Sequence, residues 1–235
     1  MIVYGKNVFI ETIKNNPNLI SKIFIKKGSE RDFLPFINNK EKIYTVDNKF
    51  FQENLGKKKH QNIALEINNF PLRDYKYLKN NFKTNNIFLL LDSIKDPQNL
   101  GSIIRTAYGL NIDGLIITKD RTVGITPAVF ASSSGYVNSL PIIQITNPAN
   151  MIKIFKEWTY WTCYVDMNGE KNIKSDDFNI PMPVIAVMGS EGSGVRQIYK
   201  KKCDFSIQIP QKEGFDSFNL SVASSIILWE LSKLK

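Results

Sequence analysis

Residues 183–194, PVIAVMGSEGSG, decide the fold class of this chain. The apolar run VIAVM shows no alternation, which is typical of a strand buried on both faces of a parallel sheet. The three glycines that follow allow a sharp turn and a close approach of the backbone to a ligand, and Glu191 stands among them. Because ligands of open α/β sheets bind beyond the carboxyl ends of the strands, this loop is a candidate binding site. Taken alone, the stretch also suits an ordinary strand-to-helix turn.

Length and composition bound the class of protein. The chain has 235 residues, of which 43% are hydrophobic, so it can bury a sizeable core in one large or two modest domains. No apolar run approaches the ~18 residues of a membrane span and no signal peptide opens the chain, so we expect a soluble cytoplasmic protein. Cys163, Cys203 and the single histidine, His60, predict neither a disulfide framework nor a metal site.

Positive charge is concentrated in the first third of the chain. The net charge is +9, and residues 1–80 alone hold 15 basic against 8 acidic residues. A basic module of this size predicts a polyanion partner, most simply nucleic acid. A composition rich in Lys, Asn and Ile, as an AT-rich genome produces, is the alternative. Lys57, Lys58 and Lys59 precede His60 in a predicted basic turn and are candidate RNA contacts.

Alternating helix and strand patterns predict a small α/β domain over residues 1–70, followed by a polar linker over 71–85 that holds a short helix. We expect a helix, a strand, a short helix, a strand, a helix and a last strand. Their predicted bounds, in that order, are Val3–Asn15, Ile20–Lys26, Glu30–Asn38, Lys42–Val46, Asn48–Leu55 and Ile63–Ile67.

Repeated strand and helix patterns over residues 86–235 predict a second, mostly parallel sheet. After the strand Asn86–Leu91, Pro97 and Asn99 favour a turn, and a helix is predicted to open at Gly101. Arg105 lies in that helix, so Asn99 and Arg105 could both face the mouth of the sheet. The alternatives are a helix cap for Asn99 and a surface salt bridge for Arg105.

The last apolar helix begins in a polar stretch. Residues 205–210 predict a strand, and a polar loop leads from it into FNLSVASSIILWELSKL. Ser217, Asn219 and Ser221 stand at the predicted N-terminus of that helix, where free backbone N–H groups can hold a polar or anionic ligand. Simple capping of the helix is the alternative.

Three stretches, in this order, resemble the motifs of the SpoU (TrmH-like) class of RNA 2′-O-ribose methyltransferases. They read DSIKDPQNLGSIIRT, VMGSEGSG and IPQKEGFDSFNLSVASS. The opening VYGKNVFIETI and the stretch KHQNIALEI extend the similarity over the whole chain. They are similar to the two-domain members that methylate a guanosine ribose in large-subunit (23S) ribosomal RNA.

The resemblance implies a fold, a cofactor and partners. It implies an N-terminal α/β domain that binds RNA and a SPOUT-type parallel-sheet domain with a C-terminal trefoil knot that binds S-adenosylmethionine. It also implies a homodimer with the active site near the subunit interface, and it requires no metal. Two alternatives stay open: the same chemistry on transfer RNA, and a non-catalytic RNA-binding or ribosome-assembly protein of the same fold.

The resemblance also assigns roles to single residues. Arg105 would be a general base or a group that orients the substrate phosphate, and a permanently protonated guanidinium favours the second role. Phe218 stands where the family usually has leucine. The implied catalytic residues are Arg105, Asn99, Glu191, Ser217 and Asn219, and the implied cofactor-binding residues are Gly189, Ile209 and Phe218.

Overall fold

The computed structural model describes residues 1–38, 40–190 and 192–235 and contains two sheets. The first sheet has the strand order β1-β4-β2-β3, in which β4 is antiparallel to both of its neighbours and β2 and β3 are parallel. This arrangement confirms the predicted α/β character of the N-terminal part. Its elements are β1 (Ile2–Tyr4), α1 (Lys6–Asn15), β2 (Ile20–Lys26), β3 (Ile43–Val46), α2 (Asn48–Leu55) and β4 (Ile63–Ile67).

Two predicted helices of this part differ from the structure: the first begins later than predicted, and the predicted helix Glu30–Asn38 does not form. The chain opens with strand β1 rather than with a helix, because Gly5, at φ 103°, breaks the segment and lets the first residues pair with β4. The stretch predicted as one helix over Glu30–Asn38 forms two short 3-10 turns, Glu30–Asp32 and Leu34–Phe36. Pro35 has no N–H to continue a helical ladder there.

The second sheet has seven strands, all parallel, in the order β7-β6-β5-β10-β8-β11-β9. Every residue of β5, β6 and β10 is buried, as the continuous apolar runs predict. The strands are β5 (Ile87–Leu91), β6 (Gly114–Thr118), β7 (Ile142–Ile145), β8 (Trp161–Val165), β9 (Lys171–Asn172), β10 (Val184–Met188) and β11 (Phe205–Gln208).

Strand order creates a switch point beside β10. The chain builds β5, β6 and β7 in one direction and then places β8 on the other side, with β10 between β5 and β8. In such sheets the loops after the two strands at the switch point diverge and leave a crevice at the carboxyl ends. The loop after β10 is the glycine stretch, so the topology puts it at this crevice.

The helices of the second part are α3 (Lys76–Asn80), α4 (Pro97–Gly109), α5 (Pro127–Ser132), α6 (Pro148–Glu157), α7 (Gln197–Lys202) and α8 (Leu220–Ser232). Helix α4 begins at Pro97, not at Gly101 as predicted. Asp96 caps it by accepting a hydrogen bond from the N–H of Gln98, and proline is tolerated in the first turn because it has no N–H to satisfy there. Asn99 therefore lies in the first turn of a helix, not in a loop. None of the described helices is long and apolar enough to cross a membrane.

The N-terminal part packs directly on the second part. The Asn138 amide donates a hydrogen bond to Thr12 Oγ1 at 3.0 Å, and the Asn16 amide donates to the Asn138 carbonyl at 3.0 Å. Backbones approach closely at Gly135, where a Cβ would lie 2.8 Å from the Cα of Val8. Helix α1 is thereby held against the segment that follows α5.

Candidate functional site

A cleft of about 810 Å³ opens at the carboxyl ends of β8, β10 and β11, and we call it the glycine-loop cleft. The structure brings together here five residues that the sequence places in two separate motifs. They are Gly189, Ile209, Ser217, Phe218 and Asn219. The crevice expected at the switch point is therefore present, and the second and third motifs form its walls.

The glycine loop is a tight hairpin. Ser190 and Gly194 exchange both backbone hydrogen bonds, at 3.2 Å and 3.1 Å. A Cβ on Gly189 would lie 2.2 Å from the carbonyl carbon and oxygen of Gly194, so only glycine fits at position 189. Gly192 and Gly194 have φ values of 83° and 63°, in the left-handed region that glycine adopts without strain. Glu191 lies outside the described residues.

Asn219 closes the opposite wall as the N-cap of α8. Its Oδ1 accepts hydrogen bonds from the N–H of Ser221 at 2.8 Å and from the Ser221 hydroxyl at 2.6 Å. Asn219 thus caps α8, as one of the two predicted alternatives states. Its side chain is also exposed in the cleft and is therefore available to a ligand. The Phe218 ring packs 5.1 Å from the ring of Phe215, centroid to centroid.

The glycine-loop cleft also contains an ion pair that sequence reasoning missed. Lys200 Nζ lies 2.6 Å from Asp166 Oδ2, and the N–H of Asn168 donates to Asp166 Oδ1 at 3.0 Å. Partial burial raises the pKa of the Asp166 carboxyl, but the hydrogen bonds and the charge of Lys200 outweigh it, so the pKa lies below its ordinary value. Asp166 directly follows β8, and an acid placed just after a predicted parallel strand is the signal that could have found it.

One buried polar atom of this cleft has no partner within the described ranges. Gln211 Oε1 is buried and accepts no hydrogen bond there, although an unsatisfied buried acceptor costs about 1–3 kcal/mol. Apolar side chains face the same space, among them Met188, Val195 and Ile209. This combination suits a ligand that brings both an apolar ring and an N–H donor.

The first-motif residues do not line the glycine-loop cleft. Asn99 is 7% exposed in the first turn of α4, and Arg105 is exposed further along the same helix. Arg105 makes no ion pair with any residue that the structure describes, so the predicted alternative of a surface salt bridge is not found there. Helix α4 packs on α8, where Ser225 Oγ donates to Thr106 Oγ1 at 3.2 Å.

Two of the three predicted RNA-contact lysines line a separate cleft of about 320 Å³ between the N-terminal part and α5, which we call the inter-domain cleft. Lys58 and Lys59 form one side, and Ala131 and Ser134 form the other. Lys58 Nζ lies 5.6 Å from the ring centroid of Tyr4. Lys57 is exposed but does not line this cleft.

The single histidine is accounted for by packing. His60 stacks on Phe51 with ring centroids 4.1 Å apart, and burial, aided by the charge of Lys26, lowers the pKa of its imidazole. Across the residues that the structure describes, no group of three or more His, Cys, Asp or Glu side chains is placed to hold a metal ion.

Comparisons with known proteins match both parts of the chain. Residues 86–229 match the model of the SpoU rRNA Methylase family, and residues 2–72 match that of RNA 2′-O ribose methyltransferase substrate binding. A protein of Staphylococcus saprophyticus named as a TrmH family tRNA/rRNA methyltransferase is 32% identical over 98% of this chain and 94% of its own length. The relative of Bacillus subtilis named YacO is also 32% identical, over 97% of this chain and 94% of its own.

Solved structures share the fold. The SpoU methyltransferase AviRb from Streptomyces viridochromogenes, solved in complex with AdoMet, has a TM-score of 0.85 at 20% identity and covers 100% of this chain and 89% of its own. An rRNA methyltransferase from Sinorhizobium meliloti has a TM-score of 0.82 at 19% identity and covers 99% of this chain and 86% of its own. The family models and the relatives establish that this chain belongs to the SpoU rRNA Methylase family, whose members are S-adenosylmethionine-dependent RNA methyltransferases.

Proposed function

We propose that this protein transfers a methyl group from S-adenosylmethionine to the ribose 2′-OH of a guanosine in large-subunit (23S) ribosomal RNA, in the cytoplasm. The observation that carries the proposal is the glycine-loop cleft, in which residues of the second and third motifs meet at the carboxyl ends of parallel strands. The match of residues 86–229 to the SpoU rRNA Methylase model favours a ribosomal RNA substrate, and the substrate-binding match at residues 2–72 supports an RNA substrate.

The residues of the glycine-loop cleft fit S-adenosylmethionine. Gln211 Oε1 is a buried acceptor without a partner in the described part of the chain, and an amino group of the cofactor would satisfy it. Gly189 lets the backbone approach closely, and Ile209 and Phe218 offer apolar contact to an adenine ring. When bound, the cofactor supplies a methyl group already activated by its sulfonium charge.

The chain's own residues must then orient the ribose and stabilise developing charge. Arg105 carries a permanent positive charge, so we assign it to binding the substrate phosphate and to electrostatic stabilisation rather than to proton abstraction. Asn99, Ser217 and Asn219 are hydrogen-bonding groups for the ribose, the cofactor or Arg105. Glu191 keeps its proposed role of orienting Arg105 or the glycine loop.

A second copy of the chain would complete the site. Helix α8 is apolar on nearly all sides, yet Val222 and Trp229 on it are 45% and 55% exposed, and Tyr108 on the adjacent α4 is 39% exposed. A helix that is hydrophobic all round is normally buried. Arg105 lies one helical turn from Tyr108, on the same face of α4. We infer a homodimer that covers this face and brings Arg105 to the glycine-loop cleft of the partner subunit.

The proposal includes the trefoil knot. Strand β10 runs between β5 and β8, and the chain after it forms the glycine loop and β11 before α8 returns to pack on α4. A chain end that returns in this way is what a threaded C-terminal segment requires. Knots are rare exceptions among folds, so this one rests on the family rather than on periodicity.

Methyl transfer from labelled cofactor tests the substrate. Unmodified 23S ribosomal RNA and bulk transfer RNA are incubated separately with the protein, and the labelled nucleoside is identified. We expect 2′-O-methylguanosine in the ribosomal RNA alone. Label in transfer RNA alone would keep the chemistry and replace the substrate with the second candidate, which the curated relatives' names give beside ribosomal RNA. Label in neither RNA, together with no cofactor binding, would establish the non-catalytic alternative.

Mixed dimers test whether Arg105 acts across the interface. Arg105→Ala removes the cation, and Phe218→Asp disables the glycine-loop cleft, so each variant alone is expected to be inactive. If Arg105 serves the partner subunit, a mixed dimer keeps one intact composite site, and an equal mixture recovers about a quarter of wild-type activity. No recovery from co-expressed chains that do form mixed dimers would place Arg105 in the site of its own subunit.

A further inference from the structure

A second cleft, of about 450 Å³, adjoins the glycine-loop cleft on the side of β5 and β6, and we call it the basic cleft. The two clefts share the side chains of Ser190, Ser193 and Leu220 as a common wall. A ligand in the basic cleft would therefore lie next to a ligand in the glycine-loop cleft. Six of its eight lining residues lie in the three motifs, but none of the eight was among the predicted site residues.

The basic cleft is strongly positive. Lys95, Arg121 and Arg196 line it, and no Asp or Glu does so among the described residues. Lys95 and Arg121 are exposed and make no ion pair within the described ranges, so their charges are available to a ligand. Three cations around one concave space, two of them without a counter-charge, form a site for an anion.

Arg196 is held in place by a buried acid. Asp92, 3% exposed, forms an ion pair with the Arg196 Nε, and its other oxygen accepts hydrogen bonds from Ser93 Oγ at 3.2 Å and Thr118 Oγ1 at 3.4 Å. The guanidinium also lies over the ring of Tyr199, with Cζ 5.5 Å from its centroid. Asp92 engages Nε and the Tyr199 hydroxyl accepts a hydrogen bond from Nη2 at 3.5 Å, which, among the described residues, leaves the Nη1 end of the guanidinium available to a ligand. A fixed planar fork of this kind suits phosphate oxygens.

The backbone on both sides of the basic cleft is strained. Ser93, just after β5, and Arg121, after β6, have φ values of 63° and 65°, in the left-handed region that residues other than glycine seldom adopt. Such conformations cost on the order of 1 kcal/mol each and cluster at functional sites. Here the strain lies in the two loops that present Lys95 and Arg121.

We propose that the basic cleft binds an RNA phosphodiester next to the ribose that is methylated, with Lys95 and Arg121 as direct phosphate ligands and Arg196 as a pre-oriented fork. The proposal rests on the proposed function, since it takes the methyl donor to occupy the adjoining glycine-loop cleft. A ribose between the two clefts has its 2′-OH towards the donor and its phosphate towards the cations. The phosphate contacts fix the position of the nucleotide without reading its base.

Single substitutions with a matched control test this assignment. Lys95→Ala and Arg121→Ala each remove one proposed phosphate ligand. Lys119→Ala removes the same charge from an exposed residue that directly follows β6 but lines neither cleft. For each variant we would measure cofactor affinity by calorimetry, RNA affinity across a range of salt concentrations, and the KM for RNA.

We expect the Lys95 and Arg121 variants to keep wild-type cofactor affinity and to bind RNA about tenfold more weakly, with the salt slope reduced by about one unit. Lys119→Ala should change RNA binding much less. Variants that match the Lys119 control in RNA affinity and slope would overturn the proposal. A loss of cofactor affinity with unchanged RNA binding would assign the cations to the carboxylate of the cofactor and overturn it too.

The RNA-binding titration does not depend on turnover, so the two proposals fail separately. If wild-type protein methylates neither RNA but the Lys95 and Arg121 variants lower the salt slope, the proposed function fails and the anion site stands. If wild-type protein methylates RNA and the variants match the control, only the basic-cleft assignment fails.

Discussion

Gly189 offers the sharpest test of the glycine-loop cleft. In Gly189→Ala the new Cβ would lie 2.2 Å from the Gly194 carbonyl and 2.4 Å from the N of Val195, which are all backbone atoms. Backbone cannot turn aside as a flexible side chain can, so the hairpin between Ser190 and Gly194 must open. The two hydrogen bonds that close it, at 3.2 Å and 3.1 Å, are lost together.

The size of the effect follows from those bonds. Each net backbone hydrogen bond contributes about 1 kcal/mol, so opening the hairpin removes about 2 kcal/mol of pre-organisation from one wall of the cleft. If the cofactor must restore the closed hairpin when it binds, its affinity falls by about 30-fold. Calorimetric titration with S-adenosylmethionine measures this directly, and thermal unfolding reports the stability of the unliganded protein.

Gly192→Ala is the matched control in the same loop. No heavy atom lies within 4 Å of its added Cβ, and its cost is the positive φ of 83° alone, on the order of 1 kcal/mol. We expect a smaller loss of cofactor affinity from this variant than from Gly189→Ala. Wild-type affinity in a folded Gly189→Ala protein would refute the reasoning, because it would mean that the hairpin is not part of the cofactor site.

Three further variants test other parts of the structure. Asp166→Asn removes the ion pair with Lys200 and should lower the melting temperature near neutral pH. The pKa of Asp166 is depressed in the folded state, so the ion pair is lost from the wild-type protein as its carboxyl is protonated. The difference in melting temperature between variant and wild type should therefore shrink below pH ~4. Asn138→Ala removes the hydrogen bond that joins the two parts of the chain at Thr12. Denaturant titration should show that the free energy of unfolding falls by about 1–2 kcal/mol. An unchanged midpoint would contradict the packing of the N-terminal part on the second part. Neutralising Lys57, Lys58 and Lys59 should lower the salt slope of RNA binding by about one unit for each lysine that contacts phosphate, and an unchanged slope would place the RNA elsewhere.

Strands were the most predictable elements of this fold. The bounds of β2, Ile20–Lys26, and of β4, Ile63–Ile67, are those that the apolar patterns predict. Strand β4, for example, is buried at four of its five positions, and such a nearly continuous apolar run gives a clear pattern. Strand β1 was missed because its three residues precede a helix with a similar apolar pattern, and pairing with β4, some 60 residues away in the sequence, decides its conformation.

Helix starts were less predictable, for a local reason. Pro97 was interpreted as a turn residue, yet with Asp96 as a cap it begins α4. The same dipeptide is compatible with both structures, and the tertiary setting chooses between them.

The candidate site could be predicted only where its residues share a motif. Five residues of the second and third motifs that line the glycine-loop cleft were named from sequence: Gly189, Ile209, Ser217, Phe218 and Asn219. Asp166 and Gln211 were not named, because their residue types alone do not indicate a site. Asp166 becomes significant through its ion pair with Lys200, and Gln211 through the burial of its side-chain oxygen. Arg105 stays a predicted site residue: it lies outside the glycine-loop cleft, and no single-chain pattern indicates which cleft it would serve.

The shared wall of the two clefts has a thermodynamic consequence. Ser190 and Ser193 line both, so a cofactor that fixes the glycine hairpin also fixes one side of the basic cleft. Coupling between two ligands is reciprocal, so the factor by which cofactor tightens RNA binding must equal the factor by which RNA tightens cofactor binding. We expect a coupling of about fivefold or more, at the low end of typical values. Gly189→Ala should reduce it, since an open hairpin transmits less. RNA affinity that is the same with and without saturating cofactor would show that the clefts act independently despite their common wall.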